Sequence, residues 1–182
     1  AAFRDRVEAW RHAFAARAGQ RWALYFDDAV AFAAALYGAW HAGKTVYLCG
    51  DNLPETVSRL RSEVDGFAGD GFRGDDVGGA AEDNPGNRGA WTPLDEDTTR
   101  LVVFTSGSTG DATAIDKRLS QLAREVEALQ ATFGVALGDA VVHGTVSHQH
   151  IYGLLFRVLW PLASGRAIAP RVFFHEEIVA AL

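Results

Sequence analysis

Leu101-Val102-Val103-Phe104-Thr105-Ser106-Gly107-Ser108-Thr109-Gly110 is the stretch on which the reading of this chain turns. A β-prone apolar run passes directly into a bend carrying two glycines and four hydroxyls. Glycine lets successive backbone N–H groups point into one concavity, and serine and threonine add further donors, so the composition is that of a phosphate cradle. The bend is not a Walker A loop, since no Lys-Ser/Thr pair follows at the required spacing, and it is not the dinucleotide Gly-x-Gly-x-x-Gly pattern. An ordinary Ser/Gly surface turn is the competing reading, and the strand that leads into the bend weighs against it.

Outward from this stretch the pattern alternates. Phe3, Val7, Trp10 and Phe14 recur at spacings of four, three and four, which predicts a helix ending near Gly19. Trp22 to Phe26 reads as a strand, and Asp27 or Asp28 then caps a helix through Trp40 that is apolar nearly all round and stops at Gly43. Thr45 to Leu48 predicts a buried strand, and Asn52 as cap with Pro54 in the first turn predicts a helix to about Val64. Residues 66–90 are rich in glycine and aspartate and read as an irregular loop, with a short strand around Phe67 as the one exception.

Beyond the bend, Leu119, Leu122, Val126, Leu129 and Phe133 form one stripe of a helix, with Arg124, Glu125, Glu127 and Gln130 on the other face and Gly134 as its stop. Ala140 to Val146 reads as a strand, Tyr152 to Leu162 as an apolar helix closed by Ser164-Gly165, Ala167 to Ala169 as a strand, and His175 to Leu182 as a helix. This alternation predicts an α/β fold, a mainly parallel sheet flanked by helices on both faces.

Composition narrows the function. The chain has 182 residues, 48% of them apolar, enough for one sizeable core. A net charge of −6 offers no basic surface for nucleic acid, so any anion is held locally. Cys49 is the single cysteine, which excludes an intrachain disulfide and fits a reducing, cytoplasmic setting. No apolar stretch is long enough for a membrane span. The sequence contains no methionine, so residue 1 is not a native translation start and the chain reads as part of a longer one.

Thr105 to Gly110 resembles the phosphate-binding signature of the adenylate-forming (AMP-binding) superfamily, which includes acyl- and aryl-CoA synthetases, luciferases and the adenylation domains of peptide synthetases. A second resemblance lies at Val146-Ser147-His148-Gln149-His150-Ile151-Tyr152-Gly153, similar to the family's His- and Gly-containing segment along the acyl pocket. The run from Leu154 to Gly165 looks most like ligases of bacterial aryl-polyene pigment clusters. The resemblance implies the N-terminal part of an ATP-dependent ligase that joins a carboxylate to AMP and passes the acyl group to a CoA or carrier-protein thiol. It implies ATP and Mg²⁺ as cofactors and an aromatic or fatty carboxylic acid as substrate. Carried onto this sequence, it places Thr105, Ser106, Gly107, Ser108, Thr109 and Gly110 on the nucleotide phosphates, and His150, Tyr152 and Gly153 at the acyl group. Thr105, Thr109 and Lys117 are then the candidate catalytic residues.

The chain also departs from the family pattern. Where the family continues with any residue, proline and lysine, this chain has Asp111, Ala112 and Thr113. Lys117, four residues on, reads equally as a phosphate contact or as a solvated cation opening the Leu119 helix. The family's Tyr-Gly-x-Thr-Glu segment, ribose-binding aspartate and C-terminal lysine have no counterpart before Leu182, which implies that the chain alone does not complete adenylation. A non-catalytic nucleotide- or phosphate-binding α/β module is the alternative, and a scaffold with a merely structural bend is a third reading.

The remaining candidates are weaker. His143, His148 and His150 lack a carboxylate or thiolate at ligand spacing, so no metal site is assigned. Ser106 and Ser108 lack the spacing of a nucleophile elbow. Phe156 reads better as core than as pocket lining, Cys49 as a small core residue, and the acidic loop residues as solvated surface without calcium-loop spacing.

Overall fold

The computed structural model describes residues 3–72, 77–78, 91–106 and 112–181. Along the chain the elements are α1 (Phe3–Ala15), β1 (Arg21–Tyr25), α2 (Ala29–His41), β2 (Thr45–Leu48), α3 (Pro54–Leu60), β3 (Gly66–Gly69), β4 (Val77–Gly78), β5 (Arg100–Ser106) and β6 (Ala112–Arg118). They are followed by α4 (Leu119–Leu137), α5 (Ile151–Leu154), a π-helical turn (Leu155–Leu159), α6 (Trp160–Ala163) and α7 (His175–Ala181). The strands form one sheet in the order β4-β3-β1-β2-β5-β6. Every neighbouring pair is parallel except β5 and β6, which form an antiparallel hairpin.

Side chains alternate across a strand, and the sheet sorts its residues accordingly. Trp22, Leu24, Val46, Leu48, Ala68, Leu101 and Val103 face the larger core with α1 and α2. Ala23, Tyr25, Tyr47, Phe67 and Phe104 face a smaller one with Val57 and Leu60 of α3. The expected α/β class and the helices on both faces are therefore present. In the larger core Trp10, Phe14, Phe26 and Trp22 meet edge-on or tilted at 5.3–5.5 Å, separations that favour aromatic contact. α1 and α2 approach closely because position 38 is glycine: a Cβ there would lie 2.4 Å from Cβ of Trp10.

Several local expectations are corrected. Asn52 does not cap α3; Leu53 occupies that position, while the Asn52 amide donates to the Asp70 carbonyl. Helix α3 ends at Leu60 and continues as turns toward Val64. The short strand expected around Phe67 is present as residues 66–69, paired in parallel with β1 from Trp22 to Tyr25. Residues 112–118 form a strand that the apolar pattern does not announce, zipped to β5 from Arg100↔Arg118 to Ser106↔Ala112. Helix α4 runs through Gly134 to Leu137 and stops at Gly138, whose positive φ of 52° suits a residue without Cβ. Gln130 is not on a purely solvated face, since its Oε1 accepts the indole N–H of Trp160 at 2.8 Å. The strands expected at 140–146 and 167–169 reduce to a single parallel bridge, Val142↔Ile168.

Candidate site at the carboxyl edge of the sheet

In an open parallel sheet, ligands sit where the strands end, because loops there converge and backbone groups are left without sheet partners. Here β1 runs out into Phe26, Asp27 and Asp28, β2 into Cys49, Gly50 and Asp51, and β5 into the hydroxyl-rich bend. Thr105 and Ser106 are the last residues of β5, paired with Thr113 and Ala112 across the hairpin. Gly107, Ser108, Thr109 and Gly110 lie outside the described residues. The end of β5 thus lies at the carboxyl edge, beside the end of β2, its parallel neighbour.

The second segment reaches the same edge from the far end of the chain. His148 is 1% exposed, and its Nε2 lies 2.9 Å from the carbonyl oxygen of Phe26, at the end of β1. The side-chain amide of Gln149 donates to the same oxygen at 3.1 Å. A carbonyl has two lone pairs, and these two donors occupy both. The Ser147–His150 turn is thereby bolted to β1. His150 follows as the N-cap of α5, with its ring beside Gly50, so a Cβ at Gly50 would lie 3.9 Å from Cε1. His150 and the end of β5 therefore belong to adjoining strand ends. Tyr152 is exposed and stacks on Phe156 at 6.4 Å, so these rings form an open wall rather than a closed pocket.

Gly153 has a packing reason of its own. A Cβ there would come within 2.0 Å of the Ser147 carbonyl oxygen, so the glycine lets α5 fold back against the turn. Lys117 is not brought to the site. It lies within β6 rather than at a helix start, opposite Leu101. At roughly 3.4 Å per residue this puts it about 17 Å down the strand from Ser106, the described end of β5.

The electrostatics of the edge follow from burial. His148 is held down to about 4, first by desolvation and then by the neighbouring Arg157 guanidinium. It is therefore neutral near pH 7, with the proton on Nε2 where the Phe26 carbonyl accepts it. Cys49 is pushed up to about 11 by burial, and its thiol donates to the Asp51 carbonyl, which makes it a poor nucleophile. Tyr25 is raised to about 12 by burial and by its hydrogen bond to Asp27. Asp28 caps α2 by accepting from the Ala31 N–H at 2.7 Å, and the Pro170 carbonyl takes the Ala29 N–H. His143 meets Phe173 edge-on at 4.5 Å. Among the described residues, no group of three or more His, Cys, Asp or Glu is placed to hold a metal ion.

Arg157 escaped sequence reasoning. It interrupts the apolar run Leu154-Leu155-Phe156-Arg157-Val158-Leu159-Trp160, and that interruption was the available signal. It sits on the π-helical turn, which precedes Pro161. Proline has no N–H to give the carbonyl four residues back, that of Arg157, and its ring crowds that carbonyl, so the widened turn has a local cause.

Comparisons with known proteins address the fold. No family model matches the chain, and no curated protein matches it. Solved structures do. O-succinylbenzoate coenzyme A synthetase (MenE) from Bacillus subtilis, in complex with ATP and magnesium ion, superposes with a TM-score of 0.66 at 14% identity, covering 99% of this chain and 52% of that one. ATP-bound MatB from Rhodopseudomonas palustris gives 0.74 at 16% identity, covering 98% and 41%. The amide bond synthetase McbA from Marinactinospora thermotolerans gives 0.68 at 16% identity, covering 98% and 41%. The chain spans about half or less of the length of these proteins. At such identities the likeness is one of architecture, and on that basis the chain has the α/β fold of the N-terminal domains of adenylate-forming enzymes.

Proposed function

We propose that this chain is the phosphate-gripping and acyl-facing part of an ATP-dependent carboxylate-activating ligase, one that forms an acyl- or aryl-adenylate and passes the acyl group to a CoA or carrier-protein thiol. The observation that carries this reading is the convergence of Thr105-Ser106 and His150 on adjoining strand ends of a sheet shaped like that of the ATP-bound ligases. The donor set of Thr105 to Gly110, all hydroxyls and backbone N–H groups, fits a polyanion; these residues would hold the ATP phosphates, and the nucleotide supplies the activating group for the carboxylate. The described residues offer no cluster that would hold Mg²⁺, and no step is assigned to that ion.

The chain's own contribution is orientation. Hydrogen bonds that pin the triphosphate, together with a fixed wall at His150 and Tyr152, would hold carboxylate and phosphorus close enough for in-line attack. The substrate we infer is an aromatic or fatty carboxylic acid, supported by the exposed Tyr152 ring beside His150 and the resemblance of residues 154–165 to aryl-polyene ligases. A reducing cytoplasm is the proposed setting, with the sealed Cys49 thiol in its favour. Residues 1–182 would be the N-terminal part of the larger enzyme, unable to complete adenylation alone.

The test is calorimetric titration of ATP and inorganic phosphate into the chain and into a Gly107→Val/Thr109→Val variant. ATP binding weakened more than tenfold by the substitutions is the expected result; equal binding would remove the phosphate cradle and with it this reading. The second reading, a non-catalytic nucleotide module, is favoured by two observations, the missing lysine after Gly110 and the remoteness of Lys117 from the end of β5. Acyl-adenylate formation by the chain joined to the downstream part of such a ligase separates the two.

A further inference from the structure

We propose that Arg157 is a positioning residue of the carboxyl-edge site: its buried guanidinium braces the Val146–His150 turn, and through it sets His150 and Tyr152 at the carboxyl edge of the sheet. The value of that brace to a ligand rests on the functional reading above; the brace itself does not. Arg157 is 1% exposed, and among the described residues no carboxylate lies in ion-pair range. A cation buried without an ion-pair partner is costly, and an apolar side chain of similar volume would cost less in a position that served packing alone. The arginine instead spends its donors on backbone. One terminal nitrogen donates to the Val146 carbonyl at 3.1 Å, and the other lies 3.5 Å from the Ala169 carbonyl. The first also faces Nδ1 of His148 at 3.5 Å, the ring nitrogen left as acceptor when Nε2–H bonds to Phe26.

Three successive segments are therefore joined under the turn: residues 146–148, the π-helical turn, and the chain at Ala169. The stem is enclosed as well, for a Cβ at Gly144 would lie 3.0 Å from Cδ of Arg157. Nε of Arg157 and Oε1 of Gln149 remain buried without partners, so the network accepts a polar penalty to keep this geometry. The groups acting electrostatically on His148 are Arg157 on one side and Asp27 and Asp28 at the end of β1 on the other.

The experiment is ¹⁵N-resolved histidine NMR with amide hydrogen exchange on the full chain, and on Arg157→Met and Arg157→Lys. In the unsubstituted protein His148 is expected as the Nε2–H tautomer at pH 7; an Nδ1–H tautomer there would overturn the proposal. In Arg157→Met the Cys49 amide, bonded to Leu24 within the sheet, should keep its protection. The amides of His150 and Leu154, bonded to Ser147 and His150, should exchange at least tenfold faster, and the His148 midpoint should move upward. Unchanged exchange and midpoint in a folded Arg157→Met would also overturn it. Should that variant fail to fold, Arg157→Lys decides: it keeps the charge without the two-armed reach, so wild-type exchange at His150 and Leu154 would count against the brace. None of these readouts needs a ligand. Loss of the ATP reading with the exchange differences intact would therefore leave Arg157 as assigned, and the converse result would remove Arg157 alone.

Discussion

Residues 3–72 and residues 138–181 both alternate apolar helices with β-prone runs, yet they are held by different means. The first region builds three parallel strands and packs aromatic rings into a dry core, where Phe14, Phe26 and Phe32 are fully buried. The second makes one bridge between Val142 and Ile168 and organises itself around His148, Gln149 and Arg157. It leaves Val146, Tyr152 and Phe174 at 45%, 69% and 76% exposure. Apolar burial is non-directional and tolerates small shifts, whereas hydrogen bonds to buried groups demand one arrangement. The comparison teaches that the first region supplies stability and the second supplies orientation, with Phe32 against the His148 ring at 4.8 Å as their seam.

The comparison is sharpened first by Phe14→Ala. The side chain is 0% exposed between Trp10 and Trp22, so its loss is expected to cost about 3–5 kcal/mol in denaturant unfolding. A loss below 1 kcal/mol would mean that the first region is not the stabilising one. Acid comes next, because His148 and Asp65 respond in different pH windows. Folding lowers His148 from the model-peptide 6.5 to about 4, so the unfolded chain binds the extra proton between those values. Stability that is full above the unfolded value is lost as pH falls from about 6.5 toward 4, on the order of 2–3 kcal/mol. In the first region Asp65 accepts from Gln20 N–H, Arg21 N–H and the Arg21 guanidinium, which hold its carboxyl well below the usual range. Its contribution is present above the ordinary carboxylate value of 3.8 and is lost only below that. A His148→Gln variant should shrink the upper window, leaving the share of the half-buried His41, and keep the lower one; urea melts from pH 7 to 3 read both.

Gly38→Ala should cost roughly 1–3 kcal/mol, because α1 and α2 must separate to admit the methyl group. A neutral result by thermal melt would show that the helix pair has slack. The smallest effect belongs to the exposed pair of the second region. Arg171 lies 2.7 Å from Glu177, with side chains 59% and 35% exposed, and Arg171→Ala should change stability by less than about 1 kcal/mol. A larger loss would mean that region two leans on surface charge after all.

How much of this could be read beforehand follows the same division. Elements buried by their own periodicity were legible: the stripe Phe3, Val7, Trp10, Phe14 marks α1, and Thr45–Leu48 is β2 residue for residue. Strands that depend on a partner were not. β6 carries Asp116, Lys117 and Arg118 and becomes a strand only because β5 offers a ladder, whereas Ala140–Val146 has strand composition but only one bridge. In the site, the turn that ends at His150 is announced by its local motif, whereas Gly107 to Gly110 lie outside the described residues. Arg157, His148 and Gln149 act through carbonyls 11 to 123 positions away, and no local pattern encodes such a contact.

The hairpin partner of β5 also closes one border of the sheet. β6 is an outermost strand, and its far half presents Asp116, Lys117 and Arg118 with an Arg100–Asp116 ion pair at 2.7 Å. The opposite border, β4, is two residues long. A row of unpaired amides invites a foreign strand, and charge on one rim with brevity on the other discourages that invitation. The protein therefore carries its own guard against fibril-like stacking, and neutralising those three charges together should be felt first as precipitation at high concentration rather than as a change in folding.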